Sequence, residues 1–196
     1  MSDLFRTEIV AGIDEVGRGP LAGPVVTAAV ILPTAIEGLA DSKALSEKRR
    51  EALFPLIMEQ ALVGVGAASV REIDSLNILQ ATLLAMRRAV DRLPQKPTLA
   101  MVDGNQNPGL GIRTELVIKG DSKIPEISAA SIVAKVIRDR LMRKLAQRHP
   151  YYGWESNVGY GAKRHRDAMA TQGVTAHHRR SFAPLREWLE SETFVA

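Results

Sequence analysis

Cysteine is absent from this chain of 196 residues, which excludes disulfides and thiolate metal sites and fits a reducing compartment. No apolar run approaches the length of a membrane span. Met1 to Thr7 carries acidic Asp3 and lacks an apolar core, so it does not read as a signal peptide, and the expected location is the cytoplasm. Internal repeats and low-complexity tracts are missing as well. Nothing in the pattern announces a large apolar interface, so a monomer is expected. The histidines offer no metal triad: His177 and His178 are neighbours whose side chains diverge on a regular backbone, and His149 and His165 read as surface residues.

What is present supports a real core, with an apolar fraction of 45%, in one large domain or one domain with a small appendage. The net charge of +4 is modest, but it is unevenly spread. Lys135, Arg138, Arg140, Arg143, Lys144, Arg148, Lys163, Arg164, Arg166, Arg179 and Arg180 face only Asp139, Glu155 and Asp167 in the same stretch. Such one-sidedness suits a polyanion.

Along the chain, Glu8 to Glu15 reads as a first strand and Val25 to Leu32 as a second, almost wholly apolar and therefore covered on both faces. The turn between them makes them antiparallel neighbours. Ser46 can N-cap a helix running to about Glu59, and a third strand covers about Leu62 to Ala68. Ser69 and Glu72 have capping-box spacing. The next helix, about Leu76 to Leu93, repeats apolar residues at Leu76, Leu79, Leu83, Met86 and Val90. Strands follow at Thr98 to Asp103 and Glu115 to Lys119, then a helix from about Pro125 to Arg148 that buries Ile127, Ala130, Ala134, Ile137, Leu141 and Leu145. After Pro150 the composition shifts to aromatics, glycines, histidines and bases. The reading is an α/β fold: a mixed five-stranded sheet flanked by helices over residues 1–150, with a small C-terminal helical appendage over residues 151–196.

The chemistry-bearing residues stand where the apolar strands stop. Asp14 and Glu15 end the first strand, Asp103 ends the fourth, and Asp121 follows the fifth. Open α/β sheets bind ligands at the carboxyl ends of their strands, so these acids are expected to converge. Adjacent strand residues point to opposite faces, and Asp14 and Glu15 can share one site only if the strand frays or turns there. Clustered carboxylates repel one another unless divalent cations compensate them. An all-oxygen set favours magnesium or manganese over zinc. Gly17-Arg18-Gly19-Pro20-Leu21-Ala22-Gly23 fails as a dinucleotide fingerprint, because its spacing is too long and it leads into a strand. Its glycines do permit a ligand to approach the backbone closely, and Arg18 can meet a phosphate with a planar fork of donors.

Asp14-Glu15-Val16-Gly17-Arg18-Gly19, Asp41-Ser42-Lys43, Leu76-Asn77-Ile78-Leu79, Asp103-Gly104-Asn105, Lys119-Gly120-Asp121 and Ser128 to Lys135 resemble, in this order, the motifs of the bacterial ribonuclease HII family. The resemblance continues through Gly159-Tyr160-Gly161 and His177 to Phe182. One departure is Gly161-Ala162 after Tyr160, where Pro-Thr or a similar pair is common in the family.

The resemblance implies a ribonuclease H-like fold and an endonuclease that uses two divalent cations, Mn2+ or Mg2+. It would cut the RNA strand of RNA-DNA hybrids and the 5′ side of ribonucleotides embedded in duplex DNA, leaving 3′-hydroxyl and 5′-phosphate ends. The implied roles are ribonucleotide removal from DNA and RNA primer removal. By the same resemblance, Asp14, Glu15, Asp103 and Asp121 are the catalytic metal ligands, with Asp14 bridging. Backbone groups of Gly17, Arg18 and Gly19 would contact the 2′-hydroxyl, the group that separates RNA from DNA, and Tyr160 would pack on the sugar at the RNA-to-DNA junction. Lys43 and Lys119, and less directly Lys123 and Lys135, are candidate phosphate lysines. Arg179 and Arg180 are candidate nucleic-acid contacts, and Ser128 and Ser131 can hydrogen-bond toward the acids. No convincing sliding-clamp motif is visible, although Phe182 and Phe194 place apolar surface near the C-terminus. Two other classes compete. A noncatalytic nucleic-acid-binding module would leave the acids without a purpose, because they repel DNA. A resolvase or integrase of similar fold would not need the Gly17-Arg18-Gly19 loop or Tyr160.

Overall fold

Side-chain alternation along the first strand decides the layering. In the computed structural model, which describes residues 8–39 and 45–191, β1 (Val10–Val16) turns Ala11 and Ile13 into one core and Gly12 and Asp14 toward the other face. The remaining strands are β2 (Val25–Ile31), β3 (Leu62–Ala68), β4 (Leu99–Asp103) and β5 (Arg113–Val117), in the sheet order β3-β2-β1-β4-β5. β1 runs antiparallel to β2, and β2 antiparallel to β3. β1, β4 and β5 are mutually parallel, with Ile13 opposite Val102 and Asp103 opposite Val117. Three neighbouring strands therefore end on the same side.

Helix α1 (Glu47–Gln60) starts at Ser46, whose side chain accepts the Arg49 N–H, and α2 (Val70–Leu76) carries the full Ser69–Glu72 capping box. The next helix departs from the sequence expectation. Asn77 takes a left-handed φ of 69° and caps α3 (Ile78–Asp91) through the Gln80 N–H, so the helix begins after Leu76 and not with it. Leu76 is accordingly exposed, outside the stripe of Leu83, Met86 and Ala89 that packs on Ala11, Ile13 and Val102. The fifth strand also begins and ends two residues earlier than expected, since Lys119 turns left-handed and Ile118 is 67% exposed.

Helix α4 (Pro125–Arg148) covers the opposite face of the sheet together with α1. Its buried stripe is not the expected one throughout. In the second half Arg138, Met142 and Ala146 are buried, whereas Leu141 is exposed and Ile137 and Leu145 are half-buried. A charge can lie inside the stripe here because Arg138 donates to three carbonyls, those of Pro24, Val158 and Ala22.

Residues 150–191 add α5 (Trp154–Asn157), α6 (Lys163–Gln172) and α7 (Leu185–Glu190). Trp154, Met169 and Leu185 form a cluster with Met142 and Ala146 of α4 and with Leu21 and Ala22 of the β1–β2 connection. Backbone bonds stitch that connection to the C-terminal segment: Leu21 N–H to Gly159 O, Gly23 N–H to His177 O and Arg179 N–H to Leu21 O, at 2.8 Å each. Among the described residues, no helix is long and apolar enough to cross a membrane.

Candidate active site

Gly12 is where sequence first commits to a site. A Cβ there would lie 2.1 Å from the Glu126 carbonyl carbon, so only glycine lets β1 approach the start of α4. Two residues on, Asp14 is held against that helix and receives a hydrogen bond from Ser131. Asp103 closes the parallel neighbour β4, and its Oδ1 accepts the Gly120 N–H at 2.7 Å. That bond draws the turn Gly120–Ser122, with Asp121, over the strand ends. One carboxylate oxygen from each of Asp14, Asp103 and Asp121 lies within 4.8 Å of the others.

Glu15 stands apart from this triad. The strand does not fray, because β1 stays paired through Val16 and Val26, and the two acids consequently point to opposite faces. Glu15 faces a small cleft shared with Arg18, Leu79, Thr82, Met86, Asp103 and Asn105, where Arg18 Nη1 lies 3.3 Å from its Oε1. Asp103 borders both sides and joins the two acids electrostatically.

Burial and like charge act together on these groups. Asp14 is raised from 3.8 to about 8, chiefly by burial and then by the charges of Glu15 and Asp103, with the Ser131 bond opposing. Glu15 is raised as well, again by burial, while Arg18 pulls it down. A proton or a cation must compensate such a cluster. The donor set is entirely carboxylate oxygen, and its mutual spacing allows it to hold a hard divalent cation.

Beside the acids, Glu15, Val16, Gly17, Arg18, Gly19, Lys135 and Tyr160 line an open pocket of about 260 Å3. Gly17 has a φ of 103°, and a Cβ on it would meet Arg138 Nε at 2.1 Å, so glycine is required twice over. Tyr160 is 48% exposed at the pocket wall, not a core aromatic. Arg179 corrects the sequence expectation of a nucleic-acid contact. It is fully buried, and its guanidinium donates to the carbonyls of Gly17, Arg18 and Gly23. Burial and the nearby Arg138 push its pKa down to about 9, which leaves it charged at neutral pH. Its donors point into the loop, so it braces the Gly17-Arg18-Gly19 backbone from behind.

The family model described as Ribonuclease HII matches residues 11–185. The chain belongs to the ribonuclease HII family. It is 58% identical over 183 residues to ribonuclease HII of Burkholderia mallei (strain SAVP1), covering 92% of this chain and 86% of that protein, and the relative from Burkholderia thailandensis matches to the same extent. Among solved structures, ribonuclease H2 of Pyrococcus horikoshii OT3 superposes with a TM-score of 0.79 at 29% identity, covering 93% of this chain and 97% of that one. RNase HII of Archaeoglobus fulgidus, solved as a complex with PCNA, gives 0.75 at 29% identity, over 87% and 93% of the two chains. Bst RNase HIII, solved with Mn2+, gives 0.75 at 21% identity over 95% and 71%, a likeness of fold alone. Membership makes the chain a ribonuclease and places the clustered acids on a ribonuclease H-type sheet.

The other sequence candidates fall in several places. Lys43 lies outside the described residues, as does Phe194. Lys119 is exposed beside Asp121, and Lys123 donates to the Ile118 carbonyl at 2.8 Å. Lys135 pairs with Asp139 at 2.9 Å and reaches the Tyr160 pocket. Ser128 borders a second cavity of about 210 Å3 with Asp121 and Lys123. Arg180 is exposed, while its backbone N–H and that of Ser181 donate to Asp74. Much of the basic stretch is internally neutralised: Arg140 and Arg143 pair with Glu51 and Glu47, Lys163 with Asp167, and Arg164 with Glu155.

The structure overturns the surface reading of His165, which is fully buried against Trp154 and His178. Sequence reasoning also missed Arg138 as a brace. Its signal was its place four residues after Ala134 and four before Met142, inside the apolar stripe.

Proposed function

We propose that this ribonuclease HII family member hydrolyses the RNA strand of RNA-DNA hybrids and incises duplex DNA on the 5′ side of embedded ribonucleotides, leaving 3′-hydroxyl and 5′-phosphate ends. The observation that carries the reading is the meeting of Asp14, Asp103 and Asp121 within 4.8 Å next to a pocket walled by Gly17, Arg18, Gly19 and Tyr160. Asp14, Asp103 and Asp121 would hold the divalent cations, with Glu15 completing the set from its own side of β1. When bound, two such cations supply an activated water and stabilise the leaving 3′ oxygen.

The chain's own groups account for the rest. Asp14 holds a proton in the metal-free state up to about pH 8 and gives it up when its charge is compensated. Ser131 keeps the Asp14 carboxyl oriented. Backbone groups of the Gly17-Arg18-Gly19 loop, fixed by Arg179, read the ribose 2′-hydroxyl, since without a Cβ at Gly19, beside the Tyr160 ring, a sugar can reach the backbone. Tyr160 packs its ring on the deoxyribose that follows the ribonucleotide, where an extra hydroxyl would find no partner. Lys119 and Arg180, both exposed, contact phosphates, and Lys43 joins them by resemblance. The reading extends to a cytoplasmic monomer that removes ribonucleotides from DNA and RNA primers from hybrids.

The test is a cleavage panel of an RNA-DNA hybrid, a duplex with one embedded ribonucleotide and an all-DNA duplex. EDTA abolishes cleavage, added Mg2+ or Mn2+ restores it, and the all-DNA duplex stays intact. Binding without cleavage would favour a noncatalytic module, and ribose-independent cleavage a resolvase-like nuclease.

A further inference from the structure

The buried histidines form a chain of hydrogen bonds whose direction can be fixed atom by atom. Thr175 N–H donates to His178 Nδ1 at 2.9 Å, so that nitrogen is an acceptor and the proton of the neutral ring sits on Nε2. His178 Nε2 lies 3.1 Å from His165 Nε2, and Trp154 Nε1–H also donates to His165 Nε2 at 3.1 Å. His165 Nε2 therefore accepts twice, which puts the His165 proton on Nδ1. That Nδ1–H reaches the Tyr160 carbonyl at 2.8 Å. Burial pushes the pKa of both rings below the usual histidine value, His178 to about 3, and an Nε2 that accepts the Trp154 N–H marks the His165 ring as neutral.

Every ring nitrogen of this cluster is used, and among the described residues the bonds that leave the three rings go to Thr175, whose Oγ1 also accepts the His177 N–H at 3.1 Å, and to a backbone atom of Tyr160. The same carbonyl accepts the Ala162 N–H at 2.8 Å, and the Tyr160 N–H donates to Asn157 O at 2.8 Å. The ring itself has no side-chain hydrogen bond among the described residues and stands half-exposed against Gly19. The direction of that ring is thus set through its backbone. A core needing only volume would be filled as well by apolar side chains, without the polar atoms that must all be satisfied.

We infer that His165 is the positioning residue of Tyr160: Trp154 and His178 lock its tautomer, and its Nδ1–H fixes the carbonyl that aims the tyrosine ring at the junction sugar. This rests on the reading of Tyr160 as the junction contact.

The experiment compares kcat/KM on a single-ribonucleotide duplex with kcat/KM on an all-RNA hybrid, for His165→Leu, His165→Asn, Trp154→Phe and Tyr160→Ala. His165→Leu lowers the ratio of the two by about tenfold, the equivalent of one net hydrogen bond. His165→Asn, whose amide N–H can replace Nδ1–H, recovers most of that ratio. In a Tyr160→Ala background His165→Leu changes the ratio no further. An equal loss on both substrates, or an undiminished effect in the Tyr160→Ala background, overturns the inference. Should His165→Leu fail to fold, Trp154→Phe removes one of the two donors to Nε2 and lowers the ratio in the same direction; an unchanged ratio counts against the brace. If Tyr160→Ala itself leaves the ratio unaltered, the junction reading falls. The brace is then decided in the free protein by imidazole 15N shifts and Tyr160 ring line widths. A protonated Nδ1 on His165 with line broadening in Trp154→Phe supports it, and a protonated Nε2 or unchanged lines refute it.

Discussion

Asp14→Asn separates the electrostatics of the site from its fold. In the metal-free protein Asp14 is 3% exposed and titrates at about 8, against 3.8 for the unfolded chain. Between those values the native state holds a proton that the unfolded chain has lost, so stability is full at low pH and falls as pH rises through the folded value. The slope for one proton is about 1.4 kcal/mol per pH unit. Asparagine cannot ionise and lacks this term. Between about pH 5.5 and 7.5 the wild type should lose roughly 3 kcal/mol relative to the variant, or about 6–12 °C in Tm for a chain of this size. Thermal unfolding in EDTA at the two pH values measures the difference directly. Parallel pH dependence in the two proteins would refute the reasoning, because it would mean that Asp14 is already ionised in the native state. Adding Mg2+ or Mn2+ should raise the wild-type Tm and leave the variant nearly unchanged, since binding to the native state alone is what shifts the midpoint.

Tyr160→Ala should lower kcat/KM on a single embedded ribonucleotide by about 1–3 kcal/mol of lost stacking and less on an all-RNA strand, which offers many registers; Tyr160→Phe should retain the preference. An equal loss on both substrates would make Tyr160 a loop support. Arg179→Ala should destabilise by roughly 3 kcal/mol, because it removes the donor from the buried carbonyls of Gly17 and Gly23 and the part-buried one of Arg18, and Arg179→Lys should fold but discriminate ribose from deoxyribose less well. A stable Arg179→Ala variant with normal discrimination would remove the brace. Ala162 occupies the N-cap of α6 with φ −62° and ψ 159° and no side-chain cap. Ala162→Ser should therefore add about 1 kcal/mol, raising Tm by roughly 2–4 °C, and an unchanged Tm would mean that another group already satisfies that helix end.

The elements that could be read from sequence are those fixed by local chemistry. β3 and α4 begin and end where the apolar runs and Pro125 place them, and Ser46 and Ser69 cap as their spacing implies. The convergence of Asp14, Asp103 and Asp121 was legible because each stands at or just beyond the end of a strand, and parallel pairing of β1 with β4 and of β4 with β5 does the rest. Glu15 shows the limit of that logic, since the period of two sends it to the other face. The buried cations were illegible for a different reason. Arg179 is satisfied by carbonyls that lie 161 and 162 positions away, and nothing local distinguishes it from exposed Arg180. His165 finds its partners nearer by, in Trp154, Tyr160 and His178, but the short helices and turns between them carry no periodicity that would place those side chains together.

The most direct test of the central claim is the position of the cut in an end-labelled duplex carrying one ribonucleotide, with Mg2+ or Mn2+ present. The account predicts a single incision immediately 5′ of the ribonucleotide, a 3′-hydroxyl that a polymerase can extend, and no product with Asp14→Asn. Incision 3′ of the ribonucleotide, cleavage of the same duplex with deoxyribose throughout, or undiminished cleavage by Asp14→Asn would contradict it.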